Sequence, residues 1–195
     1  MLLKFASRIR KYIIRKMNMI YAAIKFHGAH QFGKFVIAKR RLVILNPQYM
    51  GVGDGCYFGA GCRIEAWDKY NDERFVPEID IGEDVRINST CHIGAINRVV
   101  IGKETLLGSH VTILDHSHGK NEADELNMHP SKRNLFSKGE VVIGERCWLC
   151  ENVVILPGVH IGNGSIVGAN AVVTRDMPGN CVIVGNPARV VKIIE

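Results

Sequence analysis

Residues 143–173 read IGERCWLCENVVILPGVHIGNGSIVGANAVV, and an aliphatic residue recurs in this stretch at every sixth position. The recurring residues are Ile143, Leu149, Ile155, Ile161, Val167 and Val173. A step of six places successive residues on different faces of an α-helix, so a helix cannot bury them together. Stacked coils of short strands can, because each coil covers the apolar interior of its neighbour. The stretch therefore predicts a mainly β fold built from coils.

The same step of six extends through most of the chain. Upstream it passes through Val52, Phe58, Ile64, Ile81, Ile87, Ile93, Ile101, Leu107 and Ile113. The residue two before each repeat position is mostly small or β-branched, and residues i and i−2 of an extended strand lie on one face. Glycine often follows the repeat position, which indicates a corner where a β-carbon is unwelcome. Each hexad is thus expected to form a short strand and a corner, with insertions near residues 65–78 and 117–138.

Length and composition place the chain among single-domain globular proteins. It has 195 residues, of which 47% are hydrophobic and 23% charged, as is typical of folded domains. The net charge is +6, yet residues 1–53 hold eleven Lys and Arg and no acidic residue. We expect two parts: a basic amphipathic helical segment over 1–45, and a β-helix domain over 46–195.

The N-terminal segment carries two stripes at helical spacing. The apolar stripe comprises Leu2, Ala6, Ile9, Ile13, Met17, Ile20 and Ile24, and the basic one Lys4, Arg8, Lys11 and Arg15. Residues 1–25 therefore fit either peripheral contact with an anionic membrane or packing against the coils or a neighbouring subunit. Bases without a recognition module do not indicate nucleic-acid binding. The sequence shows neither a span of about 18 apolar residues nor a secretory signal. We therefore expect a cytoplasmic protein, which lies at the inner face of the membrane if residues 1–25 contact it.

The cysteines include one C-x-x-C pair, Cys147 and Cys150, a spacing found in metal and redox sites. Five of the six cysteines, however, fall at the small inward position i−2 of a hexad: Cys56, Cys62, Cys91, Cys147 and Cys181. Packing in the core explains these five. We therefore predict neither a metal site nor a redox function for the pair.

Several segments together resemble a known family. They are the hexads, IGERCW (143–148), ILPGVHIG (155–162) and the ending GNPAR (185–189). They are similar to the hexapeptide-repeat acyltransferases, above all the galactoside, maltose and surface-polysaccharide O-acetyltransferases. The resemblance covers about residues 50–192. It implies a left-handed parallel β-helix, a homotrimer with acetyl-CoA between adjacent prisms, and direct acetyl transfer to a hydroxyl of a sugar or surface-polysaccharide precursor, with no metal.

The segment Asp115-His116-Ser117-His118 lies where the regular hexads end. Acetyl transfer to a hydroxyl needs a base that titrates near neutral pH, and histidine fits. The resemblance matches the family's catalytic histidine to His118, with His116 as a catalytic partner or substrate contact. As a hydrogen-bond acceptor Asp115 could orient one of these rings, and we expect it to belong, with Asn88, to the acceptor-binding residues. The resemblance also matches Asn88 to an asparagine that holds the acceptor. Asn88 otherwise fits a corner, because asparagine tolerates left-handed backbone conformations.

The resemblance also assigns residues to the coenzyme A groove. They are Trp148, Ala169, Thr174 and Arg175, with Arg189 and Lys192 as cations near the last coil, and the backbone N–H groups of Cys150 and Glu151 as oxyanion donors. The family often has Gly and Ser at the last two positions. Two other classes stay open. One is a metal lyase of the γ-carbonic-anhydrase kind, with His92, His110 and His116 as ligands; the other is a non-catalytic β-helix that assembles with partners.

Overall fold

The computed structural model describes residues 2–120 and 122–195, with side chains from residue 6 onward. Helix α1 (Leu2–Lys25) comes first, and short 3₁₀ helices occupy Pro47–Tyr49, Ala123–Glu125 and Pro130–Lys132. Fourteen strands precede the second insertion: β1 (Gln31–Phe32), β2 (Ile37–Ala38), β3 (Val43–Leu45), β4 (Met50–Val52), β5 (Tyr57–Phe58), β6 (Arg63–Ala66), β7 (Lys69–Tyr70), β8 (Glu73–Arg74), β9 (Glu78–Ile81), β10 (Arg86–Ile87), β11 (His92–Ala95), β12 (Arg98–Ile101), β13 (Leu106–Leu107) and β14 (Thr112–Leu114). The rest are β15 (His116–His118), β16 (Leu135–Ser137), β17 (Val141–Ile143), β18 (Trp148–Leu149), β19 (Val154–Ile155), β20 (His160–Ile161), β21 (Ile166–Val167), β22 (Val172–Val173), β23 (Cys181–Gly185) and β24 (Ala188–Ile193).

Successive strands visit three parallel sheets in rotation, so that three strands complete one coil. Sheet A has the order β1-β4-β9-β12-β17-β20, sheet B β2-β5-β10-β13-β18-β21-β23-β24, and sheet C β3-β6-β11-β14-β19-β22. Equivalent hexad residues stack in register, as Ile93 does between Ile64 and Ile113. The antiparallel pair β23–β24 ends sheet B. The predicted mainly β fold of stacked coils is confirmed, and the left-handed sense of winding stays a prediction.

The interior of the prism consists of the two inward positions of each hexad. The repeat residues Ile101, Leu107 and Ile113 have no exposed surface, and the i−2 residues are equally buried. The polar Thr105 is accommodated there because its hydroxyl donates to the Gly144 carbonyl and accepts from the Cys147 N–H. The five cysteines predicted to pack in the core are buried and free. The six-residue period therefore identifies the core.

The corners use two devices. A β-carbon on Gly102 would lie 2.5 Å from the carbonyl carbon of Gly144 in the next coil, so glycine after the repeat position allows close approach between coils. Left-handed backbone falls elsewhere, three residues before the repeat position, as at Thr90 (φ 59°) and Asn152 (φ 58°). Asn88 follows a repeat position and is not among the residues with positive φ. The expectation that Asn88 serves a left-handed corner is therefore wrong.

The prism begins earlier in the chain than the sequence indicated. Helix α1 ends at Lys25, and β1–β3 pair with β4–β6 as a complete first coil. The boundary after residue 45 is thereby corrected, since residues 31–45 belong to the prism. Its repeat positions are Phe32, Ala38 and Ile44, which pair with Val52, Phe58 and Ile64 and keep the step of six. The sequence did not reveal them because Phe32 and Ala38 differ from the Ile, Leu or Val found at most repeat positions.

Helix α1 contacts the first coil through its C-terminal end. Ala22 and Phe26 are buried, and Phe26 packs against Phe58 with ring centroids 5.0 Å apart. The predicted apolar stripe faces solvent, with Ile13 50% and Ile24 67% exposed. The side chains of residues 2–5, which include Leu2 and Lys4 of the two stripes, lie outside the described residues. In one chain the stripe from Ile9 to Ile24 thus faces solvent and does not pack against the coils.

Replacing Gly102 by alanine tests the close approach of the coils. We expect Gly102→Ala to lower the free energy of unfolding by about 1–3 kcal/mol, because the added carbon meets backbone that cannot rotate away. Urea unfolding followed by circular dichroism measures the change. The neighbouring Lys103→Ala, at an exposed corner position, is the matched control, and equal stability of the two variants would contradict the account.

Candidate active site

Both insertions leave the prism from the same edge. Strands β6 and β14 belong to sheet C, and each is followed by extra residues, whereas β11 between them turns directly into β12 through Ile96 and Asn97. The two insertions therefore start two strand spacings apart, about 10 Å, and they meet. The Tyr70 hydroxyl donates to the Ser131 carbonyl at 2.8 Å across 61 positions of sequence.

The insertions enclose a cleft of about 490 Å³ on the outer face of sheet C. Its lining comprises Arg63, Glu65, Trp67, Tyr70, His92, Leu114, His116, Ser117, His118, Ser131 and Leu135. The predicted histidines His116 and His118 therefore share a concave surface with residues from the first insertion. Sequence reasoning missed those residues, because neither their spacing nor a motif distinguishes them. A cleft with convergent polar groups is the usual setting of a small-molecule site.

Asp115 is fully buried beneath this cleft. Its carboxylate accepts the backbone N–H of Ile96 at 3.0 Å and of Asn97 at 2.8 Å, and lies 2.8 Å from Nδ1 of His116. The tight turn between β11 and β12 thus supplies two donors that fix the carboxylate. With a proton on Nδ1 directed at Asp115, Nε2 of His116 carries a lone pair. Asp115 therefore orients His116, as the sequence suggested for one of the two rings.

His118 lies at the exposed rim of the cleft. Its ring packs edge-on against Tyr70, with centroids 5.3 Å apart and planes at 67°. Strand β15 carries it opposite Leu135 of β16. Within the described residues its ring nitrogens have no hydrogen-bond partner. His118 is therefore open to a bound molecule, whereas the ring of His116 is only 12% exposed.

A second carboxylate and imidazole pair occupies the floor of the cleft. His92 Nε2 lies 3.1 Å from Glu65 Oε2, and Arg63 donates to both oxygens of the same carboxylate. Burial is the main cause that lowers the pKa of His92 below its ordinary value, and the Arg63 charge lowers it further. His92 is therefore neutral at neutral pH, with its proton on Nε2 and a lone pair on Nδ1.

The predicted coenzyme A residues flank sheet C below the cleft. Glu151 and Ala169 follow β18 and β21 at one edge, and Thr174 and Arg175 follow β22 at the other. The Cys150 N–H donates to the Val167 carbonyl at 2.8 Å, so its expected role as an oxyanion donor is wrong. In the described part of the chain the Glu151 N–H has no such acceptor.

The remaining predicted residues lie away from the cleft. Trp148 projects from the outer face of sheet B and is 48% exposed. Arg189 and Lys192 lie in β24 at the end of that sheet, and Asn88 follows β10 at the edge between sheets B and C. A single chain thus assembles Asp115, His116 and His118 but does not bring the other predicted residues to them.

The metal-lyase alternative needs three histidines together. His92 and His116 share the cleft, each beside a carboxylate, but His110 lies at a corner with φ 61° and does not line it. No group of three or more His, Cys, Asp or Glu side chains suited to a metal occurs within residues 2–120 and 122–195. The three proposed ligands therefore do not converge in one chain.

Comparison with known proteins identifies the family. Residues 140–175 match the bacterial transferase hexapeptide family (six repeats). The chain is 40% identical over 153 residues to the "Putative lipopolysaccharide biosynthesis O-acetyl transferase WbbJ" of Escherichia coli K12, covering 76% of this chain and 74% of that protein. The chain belongs to the hexapeptide-repeat transferase family. The prediction of an acyltransferase enzyme is thereby confirmed, in preference to a non-catalytic assembly protein.

Other proteins are similar to this chain over part of their length or in fold. The "Putative colanic acid biosynthesis acetyltransferase WcaF" of Escherichia coli K12 is 29% identical, over 59% of this chain and 58% of that protein. The N-acyltransferase AntD of Bacillus cereus, in complex with an amino-sugar nucleotide and coenzyme A, has a TM-score of 0.74 at 19% identity, covering 90% of this chain and 89% of that one. A maltose O-acetyltransferase of Clostridium difficile has a TM-score of 0.53 at 28% identity, covering 85% and 70%.

The pKa of His92 tests the electrostatics of the cleft floor. We expect it below the ordinary value of 6.5, higher in Arg63→Gln, which removes a repelling cation, and lower still in Glu65→Gln, which removes an attracting carboxylate. Because the unfolded chain then binds more protons just below pH 6.5, the stabilising contribution of a neutral His92 is lost as the pH falls through this window. Imidazole NMR titration measures the shifts, and equal shifts in both variants would refute the arrangement.

Proposed function

We propose that the protein is an acetyl-CoA-dependent O-acetyltransferase that acts on a hydroxyl of a sugar or surface-polysaccharide precursor. The observation that carries the proposal is the segment 115–118 at the mouth of a cleft in a hexapeptide-repeat transferase. The names of WbbJ and WcaF support acetyl transfer in polysaccharide synthesis. Similar folds in complex with coenzyme A support the thioester as the donor.

His118 is the general base of this proposal. Its imidazole takes the proton of the acceptor hydroxyl while the oxygen bonds to the thioester carbonyl carbon. The carbon–sulfur bond then breaks, and the thiolate leaves with that proton as free coenzyme A. Transfer is direct and needs no metal. Exposure at the rim supports His118 for this step, as do ring nitrogens without a hydrogen-bond partner among the described residues and its match to the family's catalytic histidine.

The other residues hold the reactants. The lone pair on Nε2 of His116 accepts a hydrogen bond from a hydroxyl of the acceptor sugar, because Asp115 holds that ring in one orientation. The Glu151 N–H faces the developing oxyanion, a role in which a fixed donor lowers the barrier. Ala169 and Thr174 contact coenzyme A in its groove, while Arg175, Arg189 and Lys192 pair with its phosphates. Asn88 holds the acceptor from the edge of sheet C.

A homotrimer completes the site in this proposal. Trp148 lies on sheet B, away from the cleft on sheet C, and a second prism placed against the cleft brings a tryptophan to it. Cys150 directly follows strand β18, which carries Trp148. Burial, together with the negative charge of Glu151, raises the pKa of the Cys150 thiol. The thiol therefore stays protonated and takes no covalent role.

Replacing His118 tests the proposed chemistry. We expect His118→Ala to lower kcat by about 10²–10⁴-fold, the usual contribution of a general base. The affinity for acetyl-CoA, measured by calorimetry, should be unchanged. His160→Ala is the matched control, because His160 is exposed on sheet A. If activity survives in His118→Ala and is lost in His116→Ala, the base is His116 and the assignment is wrong.

Contact between helix α1 and an anionic membrane is a further part of the proposal. No helix within the described residues is both long and apolar enough to span a bilayer. The open stripe from Ile9 to Ile24 belongs to a segment rich in bases and free of acids, a combination that binds anionic lipid surfaces. The enzyme then works in the cytoplasm, where acetyl-CoA is available, at the inner face of the membrane beside lipid-linked acceptors.

Vesicle binding tests this contact. We expect the protein to sediment with phosphatidylglycerol vesicles and not with phosphatidylcholine vesicles, more weakly at high salt because screening reduces attraction between exposed charges. The double variant Ile13→Glu, Met17→Glu should remain in the supernatant while keeping its activity on soluble acceptors. A change in oligomeric mass with no loss of vesicle binding would show that the stripe joins copies of the chain.

A further inference from the structure

We propose that the cleft on sheet C binds a neutral pyranose ring of the acceptor, with Trp67 of the first insertion as its stacking wall and His92 as a hydroxyl acceptor. This inference rests on the proposed function for the identity of the reaction, but the subsite is argued from the cleft itself. Residues Arg63, Glu65, Trp67 and His92 belong to no motif of the sequence and have no part in the transfer step.

The charges of the floor select against an anionic sugar. Arg63 donates to both oxygens of Glu65, at 3.0 and 2.8 Å, and the Glu65 side chain is only 8% exposed. Apart from the histidines, Arg63 is the sole basic residue among those that line the cleft in the described part of the chain. Its charge is already balanced, and Asp115 beneath the floor adds a negative one. Together Arg63, Glu65 and Asp115 carry a net negative charge, which disfavours a carboxylate or phosphate on the sugar.

The hydrogen-bonding groups of the cleft suit hydroxyls. His92 is neutral and donates its Nε2 proton to Glu65, which leaves Nδ1 as an acceptor. Nε2 of His116 is a second acceptor, because Asp115 binds the other nitrogen. The indole N–H of Trp67 has no hydrogen-bond partner within the described residues and is a donor. A hydroxyl both donates and accepts, so one ring with several hydroxyls can satisfy all three groups.

The aromatic rings form a fixed wall beside these groups. Trp67 and Tyr70 are 6.4 Å apart at 77°, and Tyr70 in turn packs edge-on against His118. The hydroxyl of Tyr70 is held by the Ser131 carbonyl. The Tyr70 hydroxyl is therefore already hydrogen-bonded within the protein. Both Tyr70 and the half-buried indole of Trp67 line the cleft. An indole combines a large apolar surface with a polar N–H, which matches the C–H face and the hydroxyl rim of a pyranose.

Gly94 keeps the floor open between the two carboxylate-bound histidines. A β-carbon at this position would lie 2.8 Å from Cδ2 of Leu114 and 3.4 Å from Cε1 of His116. A side chain there would displace the end of the Leu114 side chain and fill the space above the strand beside His116. The absence of a side chain therefore lets a ligand reach both imidazoles at once.

Kinetics with paired acceptors test the subsite. The probes are methyl hexopyranosides and the matching methyl hexopyranosiduronates, with acetyl-CoA as donor. We expect wild-type kcat/KM to favour the neutral sugars by about tenfold or more. Trp67→Ala should raise the acceptor KM about tenfold with the KM for acetyl-CoA unchanged, and Trp67→Phe, which keeps a ring but loses the N–H, should raise it less. Tyr12→Ala, which removes an exposed aromatic residue from helix α1, is the control.

Glu65→Gln gives the sharpest directional result. It removes the carboxylate that neutralises Arg63, so the ratio of activity on uronate acceptors to activity on neutral acceptors should rise. Unchanged acceptor KM in Trp67→Ala and Trp67→Phe, or a wild-type preference for uronates, would overturn the subsite. Thermal unfolding of each variant excludes loss of the fold.

Saturation-transfer NMR of the same sugars reads binding without turnover and separates the two hypotheses. Wild-type protein that binds neutral sugars through Trp67 but transfers no acetyl group would overturn the proposed function and support the subsite. If the protein transfers acetyl groups and its sugar contacts are unchanged in Trp67→Ala, the subsite is overturned and the proposed function is supported.

Discussion

Main-chain hydrogen bonding between coils leaves few places where this chain can add residues. Each inner strand is paired on both sides by its neighbours, and a β-carbon at Gly102 or Gly144 would meet the backbone of the adjacent coil. Extra residues must therefore leave at a corner. Both insertions leave after a strand of sheet C, and this common exit brings Tyr70 to Ser131 and creates the cleft. The site is thus a consequence of how the coils stack.

The coil between the insertions is as important as the insertions themselves. Its tight turn at Ile96 and Asn97 directs two N–H groups at the carboxylate of Asp115, which then fixes His116. A buried carboxylate without such partners would be strongly unfavourable. The same edge therefore positions the segment 115–118 and satisfies the charge of Asp115, while His118, two residues after His116, is exposed at the rim.

The repeat every six residues predicted the interior, which the structure confirms. The segment 115–118 was singled out because histidine at an interruption of the repeat is chemically distinctive, and its catalytic role stays a prediction. The sequence did not single out Glu65 or Trp67, and it indicated His92 only as a ligand in the metal-lyase alternative. Their proximity depends on which coils stack, and a slip of two residues after Ile93 and an insertion of uncertain bounds hide that register. The first coil, over 31–45, was missed because two of its repeat positions hold Phe32 and Ala38 instead of Ile, Leu or Val. The hydrogen bond from the Cys150 N–H to the next coil could not be predicted either, because residue types do not show which backbone groups bond between coils.

A crystal structure of the protein with coenzyme A and a methyl hexopyranoside tests the central claim most directly. The account predicts the coenzyme A thiol and an acceptor hydroxyl within about 3–4 Å of the His118 ring, close to the separation at which reacting groups are held, with the sugar between Trp67 and His92. Coenzyme A bound with its thiol remote from residues 115–118, or a sugar bound outside the sheet C cleft, would contradict it.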